Sequence, residues 1–364
     1  MNGLDFFVEA VPPSLAVQYG RRVEEAGFRT AWFPEIVFGD SFVPATATAT
    51  GTSSLLLGTG VVGIWSRSPV TMALQAASVN ELSNGRLLLG LGVQARNYVS
   101  GWHDRTYERP IRAMREYVTI LKRALAGEPV TFEGELFSVR DFQLQMPLPE
   151  QPVRVYIAAV GPQMIRLAGE VADGVLGYCW STAYVREVVL PALRDGAARA
   201  GRSLDEVDVA CGYPTVVAED GRAIENAKGQ VLMFATAASS SPFYAESFAA
   251  AGYGDLVAEL RERVAALDAD GAIAAIPDEA VAAMTVSGTP DEIQRRADEL
   301  RATGVRTVNG TDSRWRLPLS FSISTSDQSQ GVVHLPEIGR ERELPHRETV
   351  WKVTLVQGIP EPWR

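Results

Sequence analysis

Two carboxylates stand at positions where this sequence could move a proton. Glu9 follows an apolar run at 4–8, and Glu35 follows a second short run at 30–33. If those runs are strands of a buried sheet, a carboxylate at the strand end is partly desolvated. Desolvation raises its pKa and lets it exchange a proton with a substrate nitrogen or oxygen. The alternative interpretation of both residues is an ordinary salt-bridged or solvated carboxylate.

Glycines occur in two further predicted strands. Gly60 and Val61 lie inside an apolar run that, from its composition alone, is a plain buried strand with packing glycines. The segment Gly92-Val93-Gln94 closes the next run, and small residues there would let a ring approach the backbone. The Gln94 amide could bond a ring carbonyl or line the substrate, or it could be a surface amide.

A third segment has the composition of a phosphate-binding turn: Ala159-Val160-Gly161-Pro162-Gln163-Met164. It joins an apolar run to a predicted helix, whose first N–H groups have no partner within the helix. Proline donates no N–H, so Gly161, Gln163 and Met164 must supply the donors. Arg166 and Lys228 are the candidate cationic partners for the phosphate.

Composition removes several other kinds of chemistry. The chain of 364 residues has three histidines, which makes a histidine-based zinc site or a Ser-His-Asp triad hard to assemble. Its net charge of −10 argues against a nucleic-acid partner. Cys179 and Cys211 lie in apolar runs and are interpreted as reduced core thiols. With neither a signal peptide nor a membrane-length apolar run in the sequence, we expect a cytoplasmic protein that acts on a small molecule.

Strand-like runs and amphipathic segments alternate along the chain, which predicts an α/β fold of the (β/α)8 TIM-barrel type. The predicted strands cover 4–8, 30–33, 55–62, 86–91, 153–159, 174–178, part of 207–218, and 305–308. A Rossmann fold is disfavoured because no Gly-x-Gly-x-x-Gly opens a helix after the first strand. In a barrel, the candidate residues would meet at the carboxyl ends of the strands.

The predicted domain organisation is a barrel over 1–308 and an atypical extension over 309–364. Within the barrel, 221–283 is long, rich in alanine and mostly helical, and it is predicted as an insertion after strand 7. Thr289-Pro290-Asp291-Glu292 has the pattern of a capping box that starts the last helix. After Ala302 the chain has no alanine, and its polar, patternless tail is either a divergent or frame-shifted end or a functional extension.

Several segments, in their order and spacing, resemble the luciferase-like superfamily of flavin and deazaflavin oxidoreductases. The matching segments include Leu57-Gly58-Thr59-Gly60-Val61, Arg67-Ser68-Pro69, Leu82-Ser83-Asn84-Gly85-Arg86, Leu89-Gly90-Leu91-Gly92 and Gly288-Thr289-Pro290-Asp291-Glu292. The start of the chain, Phe7-Val8-Glu9-Ala10-Val11-Pro12, is similar to that of methylenetetrahydromethanopterin reductases in the coenzyme F420-dependent branch.

This resemblance implies roles for the candidate residues. Glu9 matches the Glu beside the reacting centre, and Gly60-Val61 matches a cis peptide bond that backs the cofactor ring. The segment 159–164 resembles the site of the cofactor's phosphate tail. The implied protein is a homodimeric oxidoreductase that transfers hydride between coenzyme F420 and a small organic substrate. The alternatives are a monooxygenase dependent on flavin mononucleotide (FMN) and a non-catalytic barrel that binds a ligand.

Overall fold

A closed parallel β-barrel forms the centre of the molecule, in a computed structural model that describes residues 4–8, 12–36, 39–218, 222–236 and 242–310. The strands are β1 (Leu4–Phe7), β2 (Thr30–Phe33), β3 (Leu56–Thr59), β4 (Val62–Gly63), β5 (Leu87–Gly92), β6 (Val130–Glu133), β7 (Ser138–Phe142), β8 (Arg154–Ala158), β9 (Gly174–Tyr178), β10 (Asp208–Tyr213) and β11 (Thr307–Gly310). Pairing runs β1-β2-β3-β5-β8-β9-β10-β11 and returns to β1. This is the predicted (β/α)8 barrel.

Helices surround the barrel and cover one side of its mouth. They are α1 (Ala16–Glu25), α2 (Phe42–Gly51), α3 (Pro69–Leu82), α4 (Arg96–Trp102), α5 (Pro110–Leu125), α6 (Pro162–Val171), α7 (Thr182–Tyr184), α8 (Leu190–Arg199), α9 (Ala223–Thr236), α10 (Phe243–Ala250), α11 (Gly254–Ala265), α12 (Ala269–Ala274), α13 (Asp278–Met284) and α14 (Pro290–Ala302). The predicted capping box is confirmed, because Thr289 and Glu292 bond each other's backbone N–H at the start of α14. No helix within the described ranges is long and apolar enough to cross a membrane.

Large aromatic side chains fill the middle of the barrel because glycines on neighbouring strands leave space for them. The Trp32 ring lies against Gly58, and the Tyr156 ring lies against Gly174, so neither glycine position could carry a side chain. Trp32 and Tyr156 pack edge to face with ring centroids 5.5 Å apart. The barrel therefore has a packed interior rather than a channel.

A polar network closes the amino-terminal end of the barrel. The Asp5 carboxylate is fully buried, accepts a hydrogen bond of 2.9 Å from Nε1 of Trp32, and pairs with the Arg29 guanidinium at 3.3 Å. Arg29 also donates to the Thr307 hydroxyl. Burial raises the pKa of Asp5, and the opposing charge of Arg29 only partly offsets that. Charge is thus tolerated in this interior because each group has a named partner.

Three predicted elements differ from the structure. The predicted strand 55–62 is interrupted at Gly60-Val61, which separates β3 from β4. The helix predicted over 182–200 is divided by a π-helical turn at Val185–Val189 into α7 and α8. The last strand was predicted at 305–308 but extends over Thr307–Gly310, because its pairing with β1 and β10 continues to Gly310. Two residues that were assigned to the tail are therefore part of the barrel, and 311–364 lie outside the described residues.

The helices α9 to α13 form the predicted insertion after the seventh barrel strand. They enclose an apolar cluster of their own, which includes Phe248, Leu260 and Val281. Serines fasten this bundle to the barrel: Ser247 Oγ accepts from the Ser181 N–H at 2.8 Å, and Ser181 Oγ donates to the Ser247 carbonyl at 2.8 Å. The insertion is consequently held next to the carboxyl end of β9.

Candidate active site

Three partly buried apolar side chains form the floor of the barrel mouth. Phe7 and Val61 pack on the central aromatic layer, Tyr178 packs against the apolar cluster of the insertion, and the Phe7 and Tyr178 rings lie 6.2 Å apart. Each of them rests on a glycine of a neighbouring strand: Phe7 on Gly60, Val61 on Gly92, and Tyr178 on Gly212. A Cβ on Gly92 would lie 2.6 Å from Cγ2 of Val61, so only glycine at position 92 leaves room for the Val61 side chain where it lies. The result is an apolar cradle suited to a planar ring.

The Gly60-Val61 peptide bond is cis, which confirms that prediction. Thr59 holds the chain there: its hydroxyl donates to the Gly90 carbonyl and accepts from the Gly90 N–H, both at 2.8 Å. On the other side, the Gly60 N–H donates to the Phe33 carbonyl at 2.7 Å. These bonds connect the interrupted strand to both neighbours and hold Val61 in the floor.

Gln94, just after β5, contains a buried polar atom with no partner among the residues that the structure describes. Its backbone lies in the left-handed region with φ 54°, and its amide packs over Gly63. Within the described part of the chain, Oε1 of this amide is buried and accepts no hydrogen bond. Leaving a buried carbonyl unsatisfied is costly, so a donor from a ligand would stabilise this arrangement. Val93 and Gly92 place the amide beside the cradle.

The proposed phosphate turn is built as a helix start. Gly161 is the N-cap of α6, which begins at Pro162, and its residue type offers no side-chain cap. Gln163 is exposed in the first turn, whereas the side chain of Met164 is buried and only its backbone N–H could serve a ligand. Ala159 is buried at the end of β8. The Phe243 ring from α10 covers Gly161, so access to this turn runs along the Gln163 side.

Both candidate cations for the phosphate already have acidic partners. Arg166 pairs with Asp195 at 2.6 Å. Lys228 pairs with Glu225 at 2.9 Å and with Asp278 at 3.2 Å. Neither side chain is therefore available to the turn without losing an ion pair.

Glu35 is engaged in a bidentate ion pair. Its two carboxylate oxygens lie 2.9 and 2.6 Å from the Arg67 guanidinium, which also contacts Asp40 at 3.0 Å. The Ser66 hydroxyl is 3.3 Å from the same carboxylate. This cluster fastens the loop after β2 to the loop after β4 at the rim of the mouth. Glu9 lies outside the described residues.

Neither thiol has the surroundings of a nucleophile. Cys179 and Cys211 are free and buried, as expected. Burial raises the pKa of Cys211 to about 12, and burial also raises the pKa of Cys179, with the nearby Cys211 adding to the shift. A thiol needs a lowered pKa to react at neutral pH, so these two are packing residues.

Sequence reasoning missed the aromatic residues that line the mouth. Tyr178 contacts the Phe234 ring at 4.9 Å, and Phe234 contacts Tyr244 at 5.7 Å, so the insertion reaches the floor through a row of rings. The available signal was the presence of aromatic residues in an otherwise alanine-rich segment. Phe7 was read only as part of strand 1, although its alternation with Asp5 places both toward the interior.

A family model described as luciferase-like monooxygenase matches residues 8–307. The chain belongs to the luciferase-like monooxygenase family. Among its relatives, the 5,10-methylenetetrahydromethanopterin reductase of Methanolobus tindarius is 31% identical over 323 residues, which cover 84% of this chain and 93% of the relative. The barrel mouth described above is thus that of a family of oxidoreductases.

Solved structures of two F420-dependent enzymes share this fold. The coenzyme F420-dependent tetrahydromethanopterin reductase of Methanopyrus kandleri matches with a TM-score of 0.75 and 24% identity, covering 86% of this chain and 94% of that one. An F420-dependent secondary alcohol dehydrogenase, solved with an F420-acetone adduct, matches with a TM-score of 0.70 and 17% identity over the same shares. Both F420-dependent proteins therefore share the barrel fold of this chain.

Proposed function

We propose that this protein is a coenzyme F420-dependent oxidoreductase that transfers hydride between the deazaflavin and a small organic substrate. The observation that carries the proposal is the cradle at the mouth, where three side chains rest on glycines beside Gln94, whose Oε1 is buried and has no hydrogen-bond partner among the described residues. When bound, coenzyme F420 supplies the redox chemistry by donating or accepting a hydride at C5 of its ring. The reductase and dehydrogenase named above support the choice of cofactor.

The residues of the cradle would bind and orient the ring. Phe7, Val61 and Tyr178 would form an apolar surface below the ring, which would exclude water there. Gln94 would bond a polar group at the ring edge, because its Oε1 is buried and without a partner among the described residues. The backbone N–H groups of Gln163 and Met164 would hold the phosphate.

The two carboxylates receive different roles in this proposal. Glu9 is proposed to hold or deliver the proton that accompanies hydride transfer, supported by its place two residues after the inward-facing Phe7 and by the family resemblance. Glu35 is proposed as a positioning residue, because both of its oxygens are engaged by Arg67. Replacing Glu35 should therefore loosen the rim and weaken substrate binding more than it slows proton transfer.

An FMN-dependent monooxygenase is the second candidate, since the matching family model carries a monooxygenase description. An apolar cradle accepts a flavin as readily as a deazaflavin, so the floor does not discriminate between them. In that case oxygen would be a substrate and the protein would need reduced flavin. The homodimer and the small-molecule substrate remain predictions in either case.

Cofactor selectivity tests the proposal. The purified protein is titrated with coenzyme F420 and, separately, with reduced FMN, and ligand binding is followed by fluorescence. We expect saturable binding of F420 and much weaker binding of FMN. Tight flavin binding without a response to F420 would favour the monooxygenase, and binding of neither would favour a non-catalytic barrel. Gly229→Ala is the control variant: it adds a methyl group where nothing lies within 4 Å, so it should bind as the wild type does.

A further inference from the structure

An open groove lies beside the proposed phosphate turn, on the same face of the barrel. Its volume is about 470 Å³, and its lining residues are Arg109, Pro110, Ile111, Arg112, Glu135 and Gln163. Its walls are the first turns of α5 and α6, which follow barrel strands β5 and β8 and so start at the mouth face. Gln163 belongs both to this groove and to the phosphate turn, so the two are continuous.

Two arginines give the groove its chemistry. Arg109 is the N-cap residue of α5, with φ 42°, and Arg112 lies in the first turn of that helix. Both guanidinium groups donate to one carboxylate, that of Glu135 at the tip of the β6–β7 hairpin. Guanidinium groups bind carboxylates in paired hydrogen bonds, so this groove is arranged for carboxylates.

The position of Arg112 is fixed from below. Its Nε donates to Glu116 at 2.9 Å, and the nearly buried Glu116 also accepts the backbone N–H groups of Glu135, Leu136 and Phe137 at 2.9 to 3.1 Å. Although burial acts in the other direction, these hydrogen bonds lower the pKa of Glu116. The buried carboxylate of Glu116 therefore fixes Arg112 relative to the hairpin tip, and the guanidinium group of Arg112 lines the groove.

The carboxylate of Glu135 is easily displaced. The side chains of Arg109, Arg112 and Glu135 are 65%, 49% and 45% exposed, and ion pairs this exposed contribute little to stability. A ligand that brings several carboxylates can therefore replace the single one from the protein at small cost. In coenzyme F420, glutamyl residues follow the phosphate, which is the order of turn and groove here.

We propose that Arg109 and Arg112 bind the carboxylates of the glutamyl tail of coenzyme F420, and that Glu135 occupies both guanidinium groups until the tail displaces it. This inference rests on the proposed function, because it takes F420 as the ligand. It assigns a site to a part of the cofactor that takes no part in hydride transfer. Its effect is on affinity and on the choice among cofactor forms of different tail length.

Three ligands separate the tail from the rest of the cofactor. They are the deazaflavin riboside without phosphate, the form that ends at the phospholactyl group, and F420 with several glutamates; dissociation constants come from fluorescence anisotropy. We expect the glutamylated form to bind more tightly than the phospholactyl form, with a preference that shrinks as salt is added. In Arg109→Ala that preference should fall about tenfold, as expected for the loss of a charged hydrogen-bonding partner. In Glu135→Gln it should increase.

Arg115→Ala is the matched control, since Arg115 lies on the same helix, pairs with Glu170, and is not in the groove. It should leave the preference unchanged. Equal affinity of wild type for the phospholactyl and glutamylated forms, or an equal effect of Arg109→Ala on both, would overturn the tail site while leaving the ring site intact. If none of the three ligands binds, the proposed function fails and the tail site fails with it.

Discussion

Asp5 at one end of the barrel and Gln94 at the other differ in how their buried polar atoms are hydrogen-bonded. At the amino-terminal end, Asp5 is bonded by Trp32 and Arg29, and the Tyr156 hydroxyl donates to Asp208 at 2.8 Å. Oγ1 of Thr30 is an exception there, with no partner among the described residues. At the mouth, the backbone of Gln94 is left-handed and its buried Oε1 has no partner in the described chain.

This difference suggests that the polar groups at the amino-terminal end stabilise the fold, whereas those at the mouth serve ligand binding. A polar group satisfied by the protein contributes to folding, whereas one left unsatisfied costs free energy until a ligand bonds to it. The cradle adds a second contrast, because its floor is apolar yet only partly buried. Changes at the amino-terminal end should therefore alter unfolding, and changes at the mouth should alter ligand binding.

The largest effect is expected for Asp5→Ala. The change removes the acceptor of Trp32 and leaves the half-exposed Arg29 without its carboxylate. We expect the free energy of unfolding to fall by about 3 kcal/mol, since the buried Trp32 N–H loses its acceptor and a fully buried side chain is truncated. Urea denaturation measures it, with Asp5→Asn as the milder control that keeps an acceptor. An unchanged midpoint would contradict the stabilising role of this end.

Gly92→Ala tests the mouth in the same way. The new methyl group would lie 2.6 Å from Val61 and push it up into the cradle. We expect the ring to bind less tightly by about 2 kcal/mol, in the range that overpacking costs in close-packed sites. Fluorescence titration with the deazaflavin riboside measures the change, and Gly229→Ala is the control. Unaltered affinity would mean that the ring does not lie on this floor.

Glu24 provides a pH test of the amino-terminal end. Its carboxylate accepts the N–H groups of Ser53, Ser54 and Leu55 just before β3, and although desolvation opposes them, these bonds lower its pKa to about 2. A carboxylate with a lowered pKa stabilises the fold above its unfolded pKa and loses that contribution as the pH falls toward 2.

Glu24→Gln should therefore lower the free energy of unfolding at neutral pH by about 1 to 2 kcal/mol, and the gap to wild type should close between about pH 5 and pH 2. Denaturation curves at a series of pH values measure the gap. The adjacent, exposed Glu25→Gln should show neither effect. A gap that stayed constant with pH would exclude the charge of Glu24 as its cause.

The barrel itself could be predicted from local patterns. Strands such as Leu87–Gly92 are apolar on both faces and lie between the end of one helix and the start of the next, and this pattern is specific enough to place them to within a residue or two. The cis bond at Gly60-Val61 was predicted only through family resemblance. Periodicity alone indicates an uninterrupted strand there, because the bulge depends on Thr59 bonding Gly90, a residue 31 positions away.

The pairing of charges at the site could not be predicted. Glu35 and Arg67 are 32 residues apart, and nothing in either local pattern indicates that they meet. Likewise, the contact of Phe243 with Gly161 joins an insertion to a strand end, and the groove at Arg109 needs a helix start and a hairpin tip together. Such contacts are set by the closure of the barrel, which single-sequence patterns do not encode.

The smallest and most discriminating change is Gln94→Leu. It removes a buried carbonyl that has no partner in the described chain and keeps a side chain of similar size, so we expect the free energy of unfolding to rise by about 1 kcal/mol. Ring affinity should fall at the same time, because the ligand loses its bonding partner.

Gln75→Leu is the control: its Oε1 is also buried and unpartnered among the described residues, but it lies on α3 away from the mouth. Both variants should gain stability, and only Gln94→Leu should lose affinity. That result would mean that the unsatisfied Gln94 amide lowers the stability of the fold but is needed for ligand binding. A loss of stability in Gln94→Leu would show instead that the amide is satisfied within the protein, and the contrast between the two ends would no longer hold.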